Sequence, residues 1–490
     1  MAMADKPNIL LITTDTHRWD ALECMGGVPG CSPNLDRLAA QGVLFEQAHS
    51  SCPVCMPARS SLLCGVHAPV HGAIENGFDR LNHLTTYPDL LTQQGYRCGI
   101  VGKTHMGPVP ESFVFRRETH GEKNQGNSTD WWSQHLEARG LTRQAYGWKG
   151  ASYTPNPIPE EDLVDTLITD HSIAAIDELG AGDAPWFVHC SMISPHAPID
   201  PVGRWAELAK DIPLPPVQYE VGEIDRLPAH HREVLQLTKR LDDWGFKADG
   251  SLDHELIDQV RRAYYALCAY CDHQIGRLLD HLEERGERDN TLVIFTSDHG
   301  ITMFEHGLFN KHTFFDASWR VPLIMAWPQG IAAGQRREFA LTHDITATML
   351  AAAGTSCDTM QGFDLLAADA GNTASTRTCA LAVLYKNLGL ATTDWKLDLF
   401  PEEDCGRLYH RSDERCDLWN RPAHRELRDG LVAAVLAWRS ELWDYQELRA
   451  RSHGGGPIAM RLKDHLNSAS GLDAERRLQR RVAQVLSTAC

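Results

Sequence analysis

Short runs of Val, Ile and Leu recur along this chain, separated by stretches in which apolar residues return at helical spacing. That alternation restricts it to strand-helix units feeding a mostly parallel sheet. The strand candidates are Asn8 to Thr14, Cys98 to Val101, Trp186 to Ile193, Thr291 to Ser297 and Val321 to Trp327. Asp162 to Leu179 and Asp253 to Arg285 have helical period, with Gly180 and Gly286 where C-terminal caps belong. The expectation is an α/β fold with a large mixed, mostly parallel sheet flanked by helices over residues 1–370.

Beyond residue 370 the pattern breaks into short segments, Thr378 to Tyr385, Leu390 to Phe400 and Arg407 to Arg411, then an amphipathic helix from about Arg425 to Arg449. A small C-terminal α+β subdomain over residues 371–451 accounts for them. Residues 452–490, with a Gly454-Gly455-Gly456 run and a charged helix near Ala474 to Leu486, read as an appendage. It is expected to pack on a neighbouring subunit as an oligomerisation arm, or loosely on its own.

Lys plus Arg number 47 against 65 Asp plus Glu, a formal charge of -18, so a phosphate-backbone partner is repelled and no nucleic acid is expected. No apolar run reaches membrane length, and the first residues lack the apolar core of an export signal. With 14 cysteines and no such signal, free thiols in the cytoplasm are expected, in a homo-oligomer.

In an open parallel sheet, ligands bind beyond the carboxyl ends of the strands. The candidate strands end in Thr14-Asp15-Thr16, Gly102-Lys103-Thr104-His105, Ser194-Pro195-His196 and Asp298-His299-Gly300. Taken singly, each residue has an ordinary reading as a cap, a solvated cation or a structural imidazole; their shared location favours chemistry. Cys55 opens a helical stretch with Pro57 in its first turn and Arg59 one turn on. The unpaired N–H groups and dipole there suit a nucleophile and a bound oxyanion.

The stretch Cys55-Met56-Pro57-Ala58-Arg59, followed by Gly65 and His71-Gly72, resembles the formylglycine-dependent sulfatases of the alkaline phosphatase superfamily. The likeness runs from Pro7-Asn8-Ile9-Leu10 to Arg407-Leu408-Tyr409 and Asp417-Leu418-Trp419-Asn420. It takes in Gly102 to Gly107, Pro195-His196 with Pro198, and Lys311 ahead of Arg320-Val321-Pro322. The resemblance implies an alkaline phosphatase-like fold and hydrolysis of sulfate monoesters. It implies that a maturase oxidises Cys55 to formylglycine, whose hydrate attacks. A divalent metal, Mn²⁺ or Ca²⁺, is implied on Asp15, Cys55, Asp298 and His299. By the same likeness Lys103 and Arg59 hold the formylglycine oxygens and His105 takes the proton that collapses the hemiacetal. His196 and Lys311, with Lys103, bind the sulfuryl group, and His196 and Lys311 protonate the leaving alcohol.

Three positions depart from the family pattern: Thr16 replaces an Asp, Cys64 a Thr, and His299 an Asn. A nitrogen ligand favours Mn²⁺ over the all-oxygen shell that Ca²⁺ prefers. The Asp298-His299 pair also resembles phosphonate monoester hydrolases and choline sulfatases, so phosphonate monoesters or phosphodiesters are the alternative substrates. Cys52-Pro53-Val54-Cys55 reads as Cys-x-x-Cys, but no second pair follows. His67, His120, His171 and His343 lack partner spacing and are assigned structural or exposed roles. Trp131, Trp132, Trp148 and Tyr153 are assigned to packing.

Overall fold

The structure is a computed structural model; it describes residues 6–119, 130–144, 146–149, 152–237, 245, 247, 249–367, 376–442 and 471–488. His120, the Gly454 to Gly456 run and the boundary expected near residue 370 lie outside the described residues.

Eight strands form the large sheet: β1 (Asn8–Thr14), β2 (Val43–His49), β3 (Arg97–Lys103), β4 (Phe113–Thr119), β5 (Trp186–Ser191), β6 (Thr291–Ser297), β7 (Leu323–Ala326) and β8 (Gly334–Leu341). Their order is β8-β2-β7-β6-β1-β5-β3-β4. β1 runs parallel to β5 and β6, and β3 parallel to β4 and β5, whereas β7 is antiparallel to β6 and β2. The sheet is therefore mixed and mostly parallel, as expected. Its central strands carry unbroken apolar runs because both faces are covered: Ile9 to Ile12 and Leu292 to Phe295 are fully buried.

The two long helices form where the apolar spacing places them, as α2 (Val164–Leu179) and α3 (His254–Glu284); the shorter helix α1 (Cys55–Cys64) precedes both. Asp253 caps α3 by accepting from Leu256 N, and Gly286 after it takes φ +68°. Gly180 does not take the left-handed cap; its φ is -86°, and a Cβ there would meet the Ile176 carbonyl at 2.8 Å.

The chain separates into two compact units that are not consecutive in sequence. The first holds residues 1–46, 91–105 and 109–336, and the second residues 47–90, 106–108 and 337–490. In the second, β9 (Ala380–Leu384), β10 (Asn387–Ala391), β11 (Trp395–Phe400) and β12 (Cys405–His410) form an antiparallel meander in that order. The segment expected as one piece from Leu390 to Phe400 is the end of one strand and the whole of the next. One face of the meander, with Leu388, Leu397 and Leu408, packs in a core with α4 (Arg425–Glu441) and α5 (Gly471–Thr488).

The expectation of a loosely attached C-terminal arm does not hold for α5. Leu478 and Val482 are fully buried in this core, and each such side chain contributes about 1.5–3 kcal/mol on leaving water. No described helix is long and apolar enough to cross a membrane.

Candidate active site

In the first unit, the strand ends bring six predicted residues together. Asp15 and Lys103 follow or end the neighbouring system β1, β5 and β3, and their side chains pair at 2.7 Å with neither exposed to solvent. A buried carboxylate is tolerated because the ammonium compensates it, and removal of either partner strands a charge. His196 Nε2 stands 4.0 Å from Asp15 Oδ1, and Lys311 Nζ is 3.2 Å from the same His196 nitrogen.

Asp298 and His299 follow β6. The Asp298 Oδ1 oxygen accepts the backbone N–H of His299 at 2.9 Å and that of Thr16 at 3.2 Å. Asp15, Asp298 and His299 each present a ligand atom within 4.8 Å of the others.

The imidazole tautomers follow from the acceptors. His299 Nδ1 lies 2.8 Å from the Gly300 carbonyl, which can only accept, so Nδ1 carries the proton and Nε2 is an acceptor. That nitrogen faces Asp298 Oδ1 at 3.7 Å. Two electron-pair donors held at that separation fit a cation between them, and the mixed O and N set suits a first-row divalent ion. His196 repeats the device, donating Nδ1–H to the Ala197 carbonyl at 2.7 Å, so its Nε2 accepts from the Lys311 ammonium.

Thr16, at φ +63°, occupies the left-handed region that a β-branched residue rarely adopts. Its hydroxyl donates to the Asp15 carbonyl at 2.6 Å, and its contribution here is the N–H that orients Asp298. His105, two residues after Lys103, sits at φ +38°, and its buried Nδ1 has no hydrogen-bond partner among the described residues.

In the second unit, Cys55 is the first residue of α1, and Arg59 lies one turn on, 2% exposed. The Met56 N–H, which has no intrahelical acceptor, donates to Asn76 Oδ1 at 3.1 Å. Gly65 ends the helix at φ +67°, where a Cβ would meet the Met360 sulfur at 2.8 Å. Behind the helix, His71 Nδ1 accepts from Ala73 N, so Nε2–H donates to Ser61 Oγ at 2.9 Å. Burial holds that ring neutral, with its pKa down at about 3.

Residues 7–355 match the family model described as Sulfatase, and residues 304–437 match the one described as N-sulphoglucosamine sulphohydrolase, C-terminal. The chain belongs to the sulfatase family. It is a sulfuric ester hydrolase. An arylsulfatase of Clostridium perfringens is 27% identical over 409 residues, covering 74% of this sulfatase and 78% of that protein. A choline-sulfatase of Rhizobium meliloti is 29% identical over 373 residues, covering 72% and 69%. Among solved structures, a phosphonate monoester hydrolase from Silicibacter pomeroyi shares the fold with a TM-score of 0.76 at 22% identity, covering 89% of this chain and 96% of that one.

Sequence reasoning missed one support of the candidate site. Tyr264 on α3 accepts from Arg18 N at 2.9 Å and donates to the Thr16 carbonyl at 2.6 Å, fastening the loop that carries Asp15. Nothing in its helical spacing separates it from an ordinary core tyrosine.

Proposed function

We propose that this sulfatase hydrolyses sulfate monoesters of small alcohols or phenols, with residue 55 converted from cysteine to formylglycine by a maturase. A divalent ion, Mn²⁺ or Ca²⁺, is held by Asp15, Asp298, His299 and residue 55. When bound, the ion offsets charge on the sulfuryl oxygens, and the formylglycine hydrate supplies the attacking oxygen. The observation that carries this reading is the pair of acceptors His299 Nε2 and Asp298 Oδ1, 3.7 Å apart beside a buried Lys103 and Asp15.

The chain's own residues divide the remaining work. By the family resemblance, Lys103, fixed by Asp15, and Arg59 are assigned to the oxygens of residue 55. Because His196 Nδ1–H is committed to the Ala197 carbonyl, a neutral His196 cannot donate from Nε2. Lys311 therefore gives the proton to the departing alkoxide, and His196 positions it. An imidazolium at His196 would bind a sulfuryl oxygen directly. His105 accepts the proton that regenerates the site. Loss of one such preorganised donor lowers kcat by about 10²–10³.

Expression with a maturase, mass analysis of the Cys55 peptide and a substrate panel test the reading. Aldehyde at residue 55 and the highest kcat/KM on an aryl sulfate are expected. Active enzyme with an unmodified thiol would refute the nucleophile. Preference for phenyl phosphonate or a phosphodiester would move the assignment to the alternative substrates, which the Asp298-His299 pair also suits.

A further inference from the structure

We infer that Glu475, on the C-terminal helix α5, is a positioning residue for the segment that carries Cys55. The inference rests on Cys55 as the nucleophile precursor, and α5 lies beyond both matched family regions, which end at residues 355 and 437.

The Glu475 carboxylate is fully buried within the second unit. It accepts the Trp438 indole N–H at 2.7 Å, His67 Nε2–H at 3.0 Å and Arg377 Nη1–H at 2.5 Å. Burial opposes its ionisation, but the Arg377 charge and the His67 hydrogen bond outweigh burial and hold it far below the usual carboxylate range. Arg377 also grips Asp344 through two bonds of 2.7 Å, and its Nη2 reaches His343 Nε2 at 3.2 Å.

A guanidinium has no acceptor, so the contact fixes His343 as the tautomer with its proton on Nδ1. That proton goes to Ser51 Oγ at 2.8 Å, and Ser51 in turn bonds Thr342 Oγ1 through its hydroxyl at 2.9 Å and its N–H at 3.0 Å. Ser51 opens the turn into α1, in which Ser50 Oγ and Val54 N both donate to the Cys52 carbonyl. Every donor direction from α5 to this turn is therefore set by three buried charges, Glu475, Arg377 and Asp344, and an unbroken series of buried partners joins Glu475 to a residue four positions before Cys55.

Replacing Glu475 by Gln keeps an acceptor for Trp438 and His67 but turns an amide toward Arg377, where two donors meet. The guanidinium must then shift, and His343 and Ser51 move with it. Gln479 on the same helix supplies the control. Its Oε1 accepts Thr378 N at 2.6 Å and Cys379 N at 2.9 Å, docking α5 without touching the series to Ser51.

The test compares E475Q, Q479A and S51A with the mature wild type by kcat and KM, melting temperature and hydrogen exchange of the 48–60 peptide. E475Q and S51A are expected to lower kcat about tenfold or more with KM within about twofold, and to speed exchange in 48–60. Q479A is expected to lower the melting temperature while keeping kcat. Wild-type kcat and exchange in folded E475Q, or parallel loss of kcat and melting temperature in E475Q and Q479A, would overturn the inference. If E475Q does not fold, S51A decides: wild-type kcat and exchange there reject the coupling. A wild type inactive on sulfate esters would reject the functional reading instead, and the exchange comparison would still decide this one.

Discussion

Asp398, in the middle of β11, is fully buried, and neither carboxylate oxygen has a hydrogen-bond partner among the described residues. It pairs across the sheet with Arg407 on β12 and Gly389 on β10. Burial pushes its pKa from 3.8 to about 7, although Lys396 and Arg407 pull it down. The native state therefore holds the Asp398 proton more tightly than the unfolded chain does. The resulting stabilisation is complete below about pH 4 and is lost as pH rises through about 7, a swing of about 4 kcal/mol at most. Asp398→Asn keeps the shape and removes the titration. It should match wild type near pH 4 and become the more stable protein between pH 5 and 8, with the gap levelling off above the folded pKa. Chemical unfolding at several pH values, followed by a tryptophan signal from the second unit, reads this gap. A constant offset between the two proteins at every pH, or an asparagine protein less stable at pH 8, would refute the assignment of Asp398 as an uncompensated buried acid.

Three further outcomes are expected. Lys103→Met strands the Asp15 carboxylate in a buried site, so urea denaturation should report a loss of about 3–5 kcal/mol besides the loss of turnover; unchanged stability would mean the pair is hydrated. His299→Ala removes a ligand itself, so it should weaken Mn²⁺ binding by more than the roughly 10–100-fold that loss of a partner behind a ligand costs, read by calorimetry on the unmodified cysteine form independently of turnover; equal affinity would remove His299 from the ligand set. Leu478→Ala opens the core between α5, α4 and the meander and should destabilise the protein by about 2–5 kcal/mol; a change under 1 kcal/mol would mean that α5 is not anchored there.

β1 and β6 were legible to the residue, Asn8–Thr14 and Thr291–Ser297, because a parallel strand buried on both faces is an unbroken apolar run. β2 and β4 escaped notice for the opposite reason. Val43–His49 places Glu46 and Gln47 in mid-strand, and the sheet-edge strand Phe113–Thr119 leaves Val114 66% exposed and carries Arg116, Arg117 and Glu118. Motif spacing pointed to Asp15, Lys103, His196, Asp298, His299 and Lys311, which the fold gathers in one unit. It could not point to His67 and His343, which lie 276 positions apart and whose rings are 4.5 Å from each other. Partners that meet only through tertiary structure leave no local period, so spacing could assign these two only structural or exposed roles, and the fold buries both completely.

The histidines of the site show a second kind of information that spacing hides. Both His196 and His299 lock their rings by giving Nδ1–H to the carbonyl of the very next residue. That bond requires the chain to bend so that the following carbonyl turns back on the ring, a demand on the neighbour and not on the histidine. At His299 the neighbour is Gly300, whose N–H donates to the Ser318 carbonyl at 2.8 Å and where a Cβ would stand 2.2 Å from the Ala317 carbonyl. Only glycine allows that approach, so the residue that sets which nitrogen of His299 can face a metal is the one beside it with no side chain. In the proposed metal site the Asp-His-Gly sequence is thus one device: Asp298 would supply oxygen, His299 would supply nitrogen, and Gly300 decides which nitrogen.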